Sequence, residues 1–185
     1  MPPPEGPFSG YPQFQAPPQI AQGVAQAGWD LYTTASNHSV DGGFPGIQRT
    51  MDAFQAAGIM TSGTSRTPEE DATPRIVTTA SGVKVAVVNG TYGTNGLPVD
   101  EPWMVQDLNP DTLLAKAKAA REAGADIVMV ASQLPDNFLA YDGLTVRFTF
   151  APADHGRWEI SRLDYIPTII SAPRSCPSQC PLFLP

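Results

Sequence analysis

An adjacent amide and imidazole are the strongest candidates for chemistry in this chain. Asn37 and His38 lie in the segment TTASNHSVDGGFPGIQ, residues 33–48, between an apolar stretch and a predicted helix. An amide carbonyl oxygen is a hard ligand for a divalent cation, and a histidine can donate a proton or polarise a phosphoryl oxygen. The pair is therefore a candidate for a metal-assisted site.

A purely structural interpretation of the same segment is equally open. Asn37 can cap a turn and His38 can pack with a satisfied ring, and an isolated Asn-His dipeptide is a weak motif. Asp41, Gly42 and Gly43 slightly favour a functional loop, although they are also typical turn residues before a helix. In an open α/β sheet, such a loop lies where ligands gather, at the carboxyl end of a strand and beside a helix N-terminus.

Hydrophobic periodicity predicts an α/β domain around this loop. Strand-like runs alternate with helical segments, an order that implies parallel pairing through crossover connections. The run ADIVMVAS is apolar on both faces, which predicts a strand in the middle of a covered sheet, and Ser81-Gly82 predicts a two-residue hairpin turn. The predicted helices are 18–28, 44–58 and 109–124, and the predicted strands are 29–35, 59–64, two runs within 75–89, 125–132, 144–150 and 157–166.

Composition divides the chain into an arm, a domain and a tail. Residues 1–17 are rich in proline and aromatic residues without any period, which predicts an extended arm. Residues 18–171 are predicted to form a single domain, and 172–185 a tail rich in proline and cysteine. Cys176 and Cys180 in this tail make a poor zinc site because no histidine is near, and a local disulfide stays open.

Charge and hydropathy argue against two classes of partner. The net charge is −7, and the 11 lysines and arginines are scattered, so no surface for nucleic acid is expected. The longest apolar runs are far shorter than the roughly 20 residues of a membrane-spanning helix, so no transmembrane segment is expected. The first residues also lack the basic start and apolar core of a secretory signal.

The sequence around the Asn-His pair resembles the capsule and poly-γ-glutamate biosynthesis proteins of the CapA type, whose fold is metallophosphatase-like. The segments GWDLYTTASNHSVDGGFPGIQRTMDAFQAAGIMTSGT and GVKVAVVNGTYGTNGLP carry the resemblance, which covers about residues 11–171 in two blocks. The hallmark of that family is an Asn-Asn-His stretch followed by Asp and Gly. Here Ser36 replaces the first Asn, and the matching positions are Asn37, His38, Asp41 and Gly43.

The resemblance implies a fold, a site and a ligand class. The implied fold is a metallophosphatase-like α/β sandwich, incomplete, with a C-terminal β-hairpin. Asn37 resembles the family's metal ligand and His38 the residue that assists at the phosphoryl group. Asp41 and the TYGTN residues Tyr92 and Asn95 would line the opening of the same site. An ordered Gly-rich turn explains TYGTN equally well. The implied cofactor is Mn²⁺, Mg²⁺ or Zn²⁺, the implied ligand is an exopolymer or a phosphorylated small molecule, and the implied location is the cell envelope or the extracellular space.

Departures from the family pattern predict impaired catalysis. Family members begin with a strand that ends in a metal-binding Gly-Asp pair, and this sequence contains no Gly-Asp. After DIVMVAS the family has His-Trp-Gly and later a His-rich loop, whereas QLPDNFLAYDG leads directly to the final hairpin, which predicts an internal deletion near 132–137. The other histidine, His155, is expected in an exposed turn. Metallophosphatase-like chemistry needs several carboxylate and imidazole ligands, so most of the metal shell is expected to be absent.

The expected function is a role in capsule or exopolymer biosynthesis, as a metal-dependent hydrolase of the phosphatase type if the chain is active. Two alternatives stay open. The chain is a non-catalytic binding or scaffold protein that keeps the family fold, or it is an unstable fragment of a fuller protein. The second alternative follows because removing a central βα segment from a sheet leaves its neighbours exposed and its edges unpaired.

Overall fold

A computed structural model of the protein describes residues 1–3, 5–134 and 142–169. The chain divides into two compact units, residues 1–135 and 136–185. The tail 172–185, with Cys176 and Cys180, lies outside the described residues, as do residues 135–137 of the predicted deletion near 132–137. The described elements of the first unit are α1 (Gln19–Gln26), β1 (Leu31–Thr33), α2 (Gly43–Ala56), β2 (Met60–Ser62), α3 (Pro68–Ala72), β3 (Ile76–Thr78), β4 (Lys84–Thr91), α4 (Pro110–Glu122) and β5 (Ile127–Gln133).

The first strand-helix-strand unit forms as the periodicity predicts. β1 pairs in parallel with β2, with Tyr32 opposite Thr61, and α2 makes the connection between them. The buried side chains of α2 include Ile47, Met51 and Phe54, whose spacing places them on one face of the helix. This buried face fixes the helix against the sheet, and the loop that carries Asn37 and His38 is held between β1 and the start of α2.

A three-stranded sheet with β4 in its centre forms the rest of the first unit. β4 pairs antiparallel with β3 and parallel with β5. The predicted hairpin turn is one residue longer than expected, because Thr79 and Val83 form the closing backbone pair around residues 80–82. Gly82 has a φ of +86°, the left-handed conformation that such three-residue hairpin loops require.

The prediction that β5 is buried on both faces is wrong. Met129 and Val130, which point to opposite faces of the strand, are 37% and 52% exposed. The reason is its position, because β5 lies at the edge of the described three-stranded sheet and α4 packs mainly through a cluster of small residues around Ala86, Ala120 and Ala125. Apolarity along a strand therefore indicated parallel pairing correctly but did not indicate a central position.

The second unit contains the predicted terminal hairpin. β6 (Asp142–Ala153) and β7 (Arg157–Ile169) pair antiparallel, and a short 3₁₀ turn, Asp154–Gly156, joins them. Both strands are longer than the sequence pattern indicated. His155 lies in this turn with a φ of +63° and is exposed, as the sequence predicts.

Candidate functional site

The loop after β1 is held in place by a buried amide on the neighbouring strand. The Asn89 side chain, in a residue only 4% exposed, accepts a hydrogen bond from the Ala35 backbone N–H at 2.7 Å through Oδ1. Its Nδ2 donates to the carbonyl oxygen of Ala131 at 3.1 Å. One side chain in the middle of the sheet therefore ties β4 to β5 and to the residues immediately before Asn37.

Gly63, directly after β2, allows this close approach. Its φ is +110°, and a Cβ added there would lie 2.3 Å from Asn89 Oδ1 and 2.6 Å from Ala35 Cβ. Real side chains cannot tolerate such distances, so the glycine is required both for its backbone conformation and for the space it leaves. The carboxyl ends of β1, β2 and β4 meet at this point. The loop therefore lies at the carboxyl ends of parallel strands, as the sequence predicts.

His38 is held by a buried carboxylate three residues later in the chain. The Nδ1 atom of His38 lies 2.8 Å from Asp41 Oδ2, and the Asp41 side chain is only 2% exposed. The same oxygen accepts the Phe14 backbone N–H at 2.6 Å, and the Phe14 ring packs edge-on against the imidazole with centroids 4.7 Å apart. The N-terminal arm therefore takes part in fixing the orientation of His38.

His38 is among the residues that line a cavity of about 260 Å³. Since Nδ1 is engaged with Asp41, the ring nitrogen left for a ligand is Nε2. The Ser36 hydroxyl, which accepts the His38 backbone N–H at 3.2 Å, also lines the cavity, and within the described residues its proton has no acceptor. The remaining side-chain hydroxyls of the lining belong to Thr33, Thr34, Ser39, Thr50, Thr64 and Tyr32. An imidazole beside hydroxyl groups is suited to hydrogen bonding with a phosphoryl or carboxylate oxygen.

Asn37 belongs to a different set of contacts from its neighbour. Its Nδ2 donates to Asn95 Oδ1 at 3.2 Å, and the Tyr92 hydroxyl reaches the same oxygen at 3.4 Å. Its Oδ1 accepts from Gln133 Nε2, and its backbone N–H donates to Gln133 Oε1, both at 3.2 Å. The TYGTN loop and the end of β5 therefore meet at Asn37, which is not among the residues that line the cavity beside His38.

The structure brings the predicted residues together in two groups. Asn37, Asn95 and Tyr92 form one hydrogen-bonded group, and His38 and Asp41 form the other; their functional roles stay predictions. Sequence reasoning missed Phe14, Asn89 and Gln133. Asn89 could have been noticed because it is a polar residue at the end of the apolar run VAVVN, and Gln133 because it is a polar residue at the end of DIVMVASQ. Nothing in the pattern of the arm indicated Phe14.

The described residues do not fit a tight divalent-metal centre. Within residues 1–3, 5–134 and the described part of the hairpin, no three His, Cys, Asp or Glu side chains are grouped so that they could hold a metal ion. The Asn37 oxygen proposed as a ligand already accepts a hydrogen bond from Gln133, and Asp41 Oδ2 already binds His38 and Phe14. The buried Asp41 Oδ1 has no hydrogen-bond partner among the described residues, but one oxygen does not make a coordination shell.

A second charged cluster lies around the start of α3, away from Asn37 and His38. Arg66 donates from Nε to Glu70 Oε1 at 2.9 Å and also pairs with Asp52 on α2. The hydrogen bond from Arg66 lowers the pKa of Glu70, and the same bond raises the pKa of Arg66. Thr67 caps the helix by accepting the Glu70 N–H at 3.2 Å, so the cluster is explained by the structure of this turn.

Comparison with known families decides the lineage. A family model described as "Bacterial capsule synthesis protein PGA_cap" matches residues 3–140, a span that contains the arm, the Asn37–His38 loop, the TYGTN loop and β5. The chain belongs to this bacterial capsule synthesis family. A comparison with curated proteins found no match.

Membership of the capsule synthesis family confirms the CapA-type resemblance. The described elements show the mixed α/β fold class and its C-terminal hairpin. It also connects the chain with capsule synthesis. No helix in the described part of the chain is long and apolar enough to cross a membrane, in agreement with the sequence.

Proposed function

We propose that this capsule synthesis protein binds an oxyanion of the capsule polymer or of a phosphorylated precursor beside His38, and that its metallophosphatase-type catalysis is impaired. Poly-γ-glutamate is the polymer that we infer, because the resemblance is to proteins of its biosynthesis. The observation that carries the proposal is the imidazole of His38, oriented by Asp41 at 2.8 Å and bordering a cavity of about 260 Å³.

The chemistry of this cavity favours binding over hydrolysis. With Nδ1 bound to Asp41, the His38 ring can donate or accept through Nε2, and Ser36 adds a hydroxyl donor. Hydrolysis of a phosphoester by the family's chemistry needs a cation that lowers the pKa of a bound water, and the donor set described above does not fit one. The residues therefore support recognition of a ligand oxygen without supplying the nucleophile.

The two histidines of the chain allow a matched test of the binding site. We expect His38→Ala to weaken the binding of short γ-glutamate oligomers or inorganic phosphate by about tenfold or more, since one hydrogen bond to a charged group contributes roughly 1.5–3 kcal/mol. His155→Ala, an equal truncation in the exposed hairpin turn, should leave the affinity unchanged. Isothermal titration calorimetry measures both variants, and equal affinities for the two would refute the proposed site.

The catalytic part of the proposal is tested separately. Hydrolysis of a generic phosphomonoester and phosphodiester is measured with Mn²⁺, Mg²⁺ and Zn²⁺ in turn, and we expect no turnover above the rate of the His38→Ala variant. Turnover that disappears in His38→Ala would show an active metal-dependent hydrolase and contradict the impairment. A thermal melt with one cooperative transition, recorded first, would contradict the alternative of an unstable fragment.

A further inference from the structure

Gln133, the last residue of β5, makes a two-point contact with Asn37 across the carboxyl ends of the strands. Its Oε1 accepts the Asn37 backbone N–H and its Nε2 donates to Asn37 Oδ1, both at 3.2 Å. Thr91, at the end of β4, donates its hydroxyl to the same Oε1 at 2.6 Å. Nε2 also donates to the Leu134 carbonyl oxygen at 3.3 Å. Both ends of the Gln133 carboxamide are therefore used, and these hydrogen bonds fix its orientation.

This contact places N–H groups where a cation at Asn37 would need oxygen. Hard divalent cations bind oxygen ligands at about 2.0–2.6 Å, and they require further oxygen ligands to replace their lost hydration. The Asn37 oxygen instead faces the positive end of the Gln133 amide, and Asn37 Nδ2 points to Asn95. A cation at this oxygen would have to displace the Gln133 hydrogen bond. Among the described residues, no group of three His, Cys, Asp or Glu side chains is placed to hold it instead.

We propose that Gln133 is the residue that closes the Asn37 side of the site to divalent cations and makes it a neutral hydrogen-bonded junction. The carboxamide is a specificity-determining group: its N–H occupies the oxygen that a carboxylate at the same position would share with a metal. This inference goes beyond the proposed ligand site at His38 and does not depend on it, because it concerns the residues around Asn37 only.

The test adds one charge without changing the size of the side chain. Gln133→Glu removes the Nε2 donor and adds a carboxylate next to Asn37 Oδ1. We expect its affinity for Mn²⁺, measured from the free-ion signal in electron paramagnetic resonance, to exceed that of the wild type by about tenfold or more. Gln22→Glu, in an exposed position on α1, adds the same charge elsewhere and should change the affinity by less than about twofold.

A double variant shows whether the gain comes from this junction. Combining Gln133→Glu with Asn37→Ala should return Mn²⁺ affinity to the wild-type level. The proposal is overturned if Gln133→Glu binds no better than Gln22→Glu, or if its gain persists without the Asn37 amide.

A measurement on the wild type decides the question if Gln133→Glu fails to fold. Paramagnetic Mn²⁺ broadens the NMR signals of nuclei close to it, and the side-chain NH₂ signals of Asn37 and Gln133 report directly on the junction. We expect both to stay sharp at equimolar Mn²⁺. Selective broadening of these two signals would show a cation at the junction and overturn the inference, whichever ligand His38 binds.

Discussion

Replacing Gly63 by alanine tests whether the site loop depends on the contact with Asn89. The added Cβ would lie 2.3 Å from Asn89 Oδ1 and 2.7 Å from the Ala35 nitrogen, which are the two atoms of the buried hydrogen bond that holds the loop. A non-glycine residue in a rarely populated backbone conformation costs about 1–3 kcal/mol. Overpacking of a filled interior adds about 1–3 kcal/mol. We therefore expect the free energy of unfolding to fall by about 2–6 kcal/mol.

Urea unfolding followed by circular dichroism measures this loss. Gly23→Ala is the matched control, because nothing lies within 4 Å of an added Cβ there and the residue is in the middle of α1. Alanine in a helix interior is favoured over glycine by about 0.5–1 kcal/mol, so the control should gain stability. A Gly63→Ala protein within about 0.5 kcal/mol of the wild type would refute the argument, since both terms exceed that value.

The source of the loss can be separated by a double-mutant cycle. Asn89→Ala removes the oxygen that the new methyl group would meet and also removes the hydrogen bond to Ala35. If the clash with Asn89 Oδ1 dominates, the combined cost of Gly63→Ala and Asn89→Ala should be smaller than the sum of the single costs by about 1 kcal/mol or more. Additive costs would place the effect of Gly63→Ala in its backbone conformation and in the contact with Ala35.

Further predictions concern the helix ends and the charged cluster at α3. Asn109→Ala removes the cap that accepts the Asp111 N–H at 2.9 Å, and urea unfolding should show a loss of about 1 kcal/mol; an unchanged midpoint would contradict the capping role. Because its bond to Arg66 lowers the pKa of Glu70 from the usual 4.5, this carboxylate contributes stability that is present above 4.5 and is lost as the pH falls through the folded value. The free energy of unfolding of Glu70→Gln, measured by urea unfolding at several pH values, should therefore fall less on acidification than that of the wild type. An identical pH dependence in the two proteins would contradict a stabilising role of the Glu70 carboxylate.

Local patterns were sufficient for most elements of the fold. α4 could be predicted because Asn109, Pro110 and Gly124 are start and stop signals that act within one helical turn. β1, α2 and β2 could be predicted because their apolar spacing has a single consistent period, and parallel pairing follows from the crossover. The long segment around His38, together with the segment that contains TYGTN, was enough to indicate the family, which the match to residues 3–140 confirms.

The sequence pattern did not predict features that depend on residues far away in the chain. β5 has the same apolar run whether it lies in the centre or at the edge of a sheet, and only the pairing order shows that it is an edge strand. The left-handed Gly63 is separated by 26 residues from its partner Asn89, and local turn rules do not report such a contact.

The candidate site also combines features that the sequence predicts with features that only the folded chain shows. Residue types and spacing were enough to select Asn37, His38 and Asp41, because an amide, an imidazole and a carboxylate within five residues suggest chemistry whatever surrounds them. The tertiary structure decided what each of them contacts. Phe14 and Asp41 hold His38, and Gln133, 96 residues away in sequence, donates a hydrogen bond to the Asn37 side-chain oxygen. Hydrogen-bond partners are set by packing at distances of about 3 Å, and only the folded chain brings such distant residues that close.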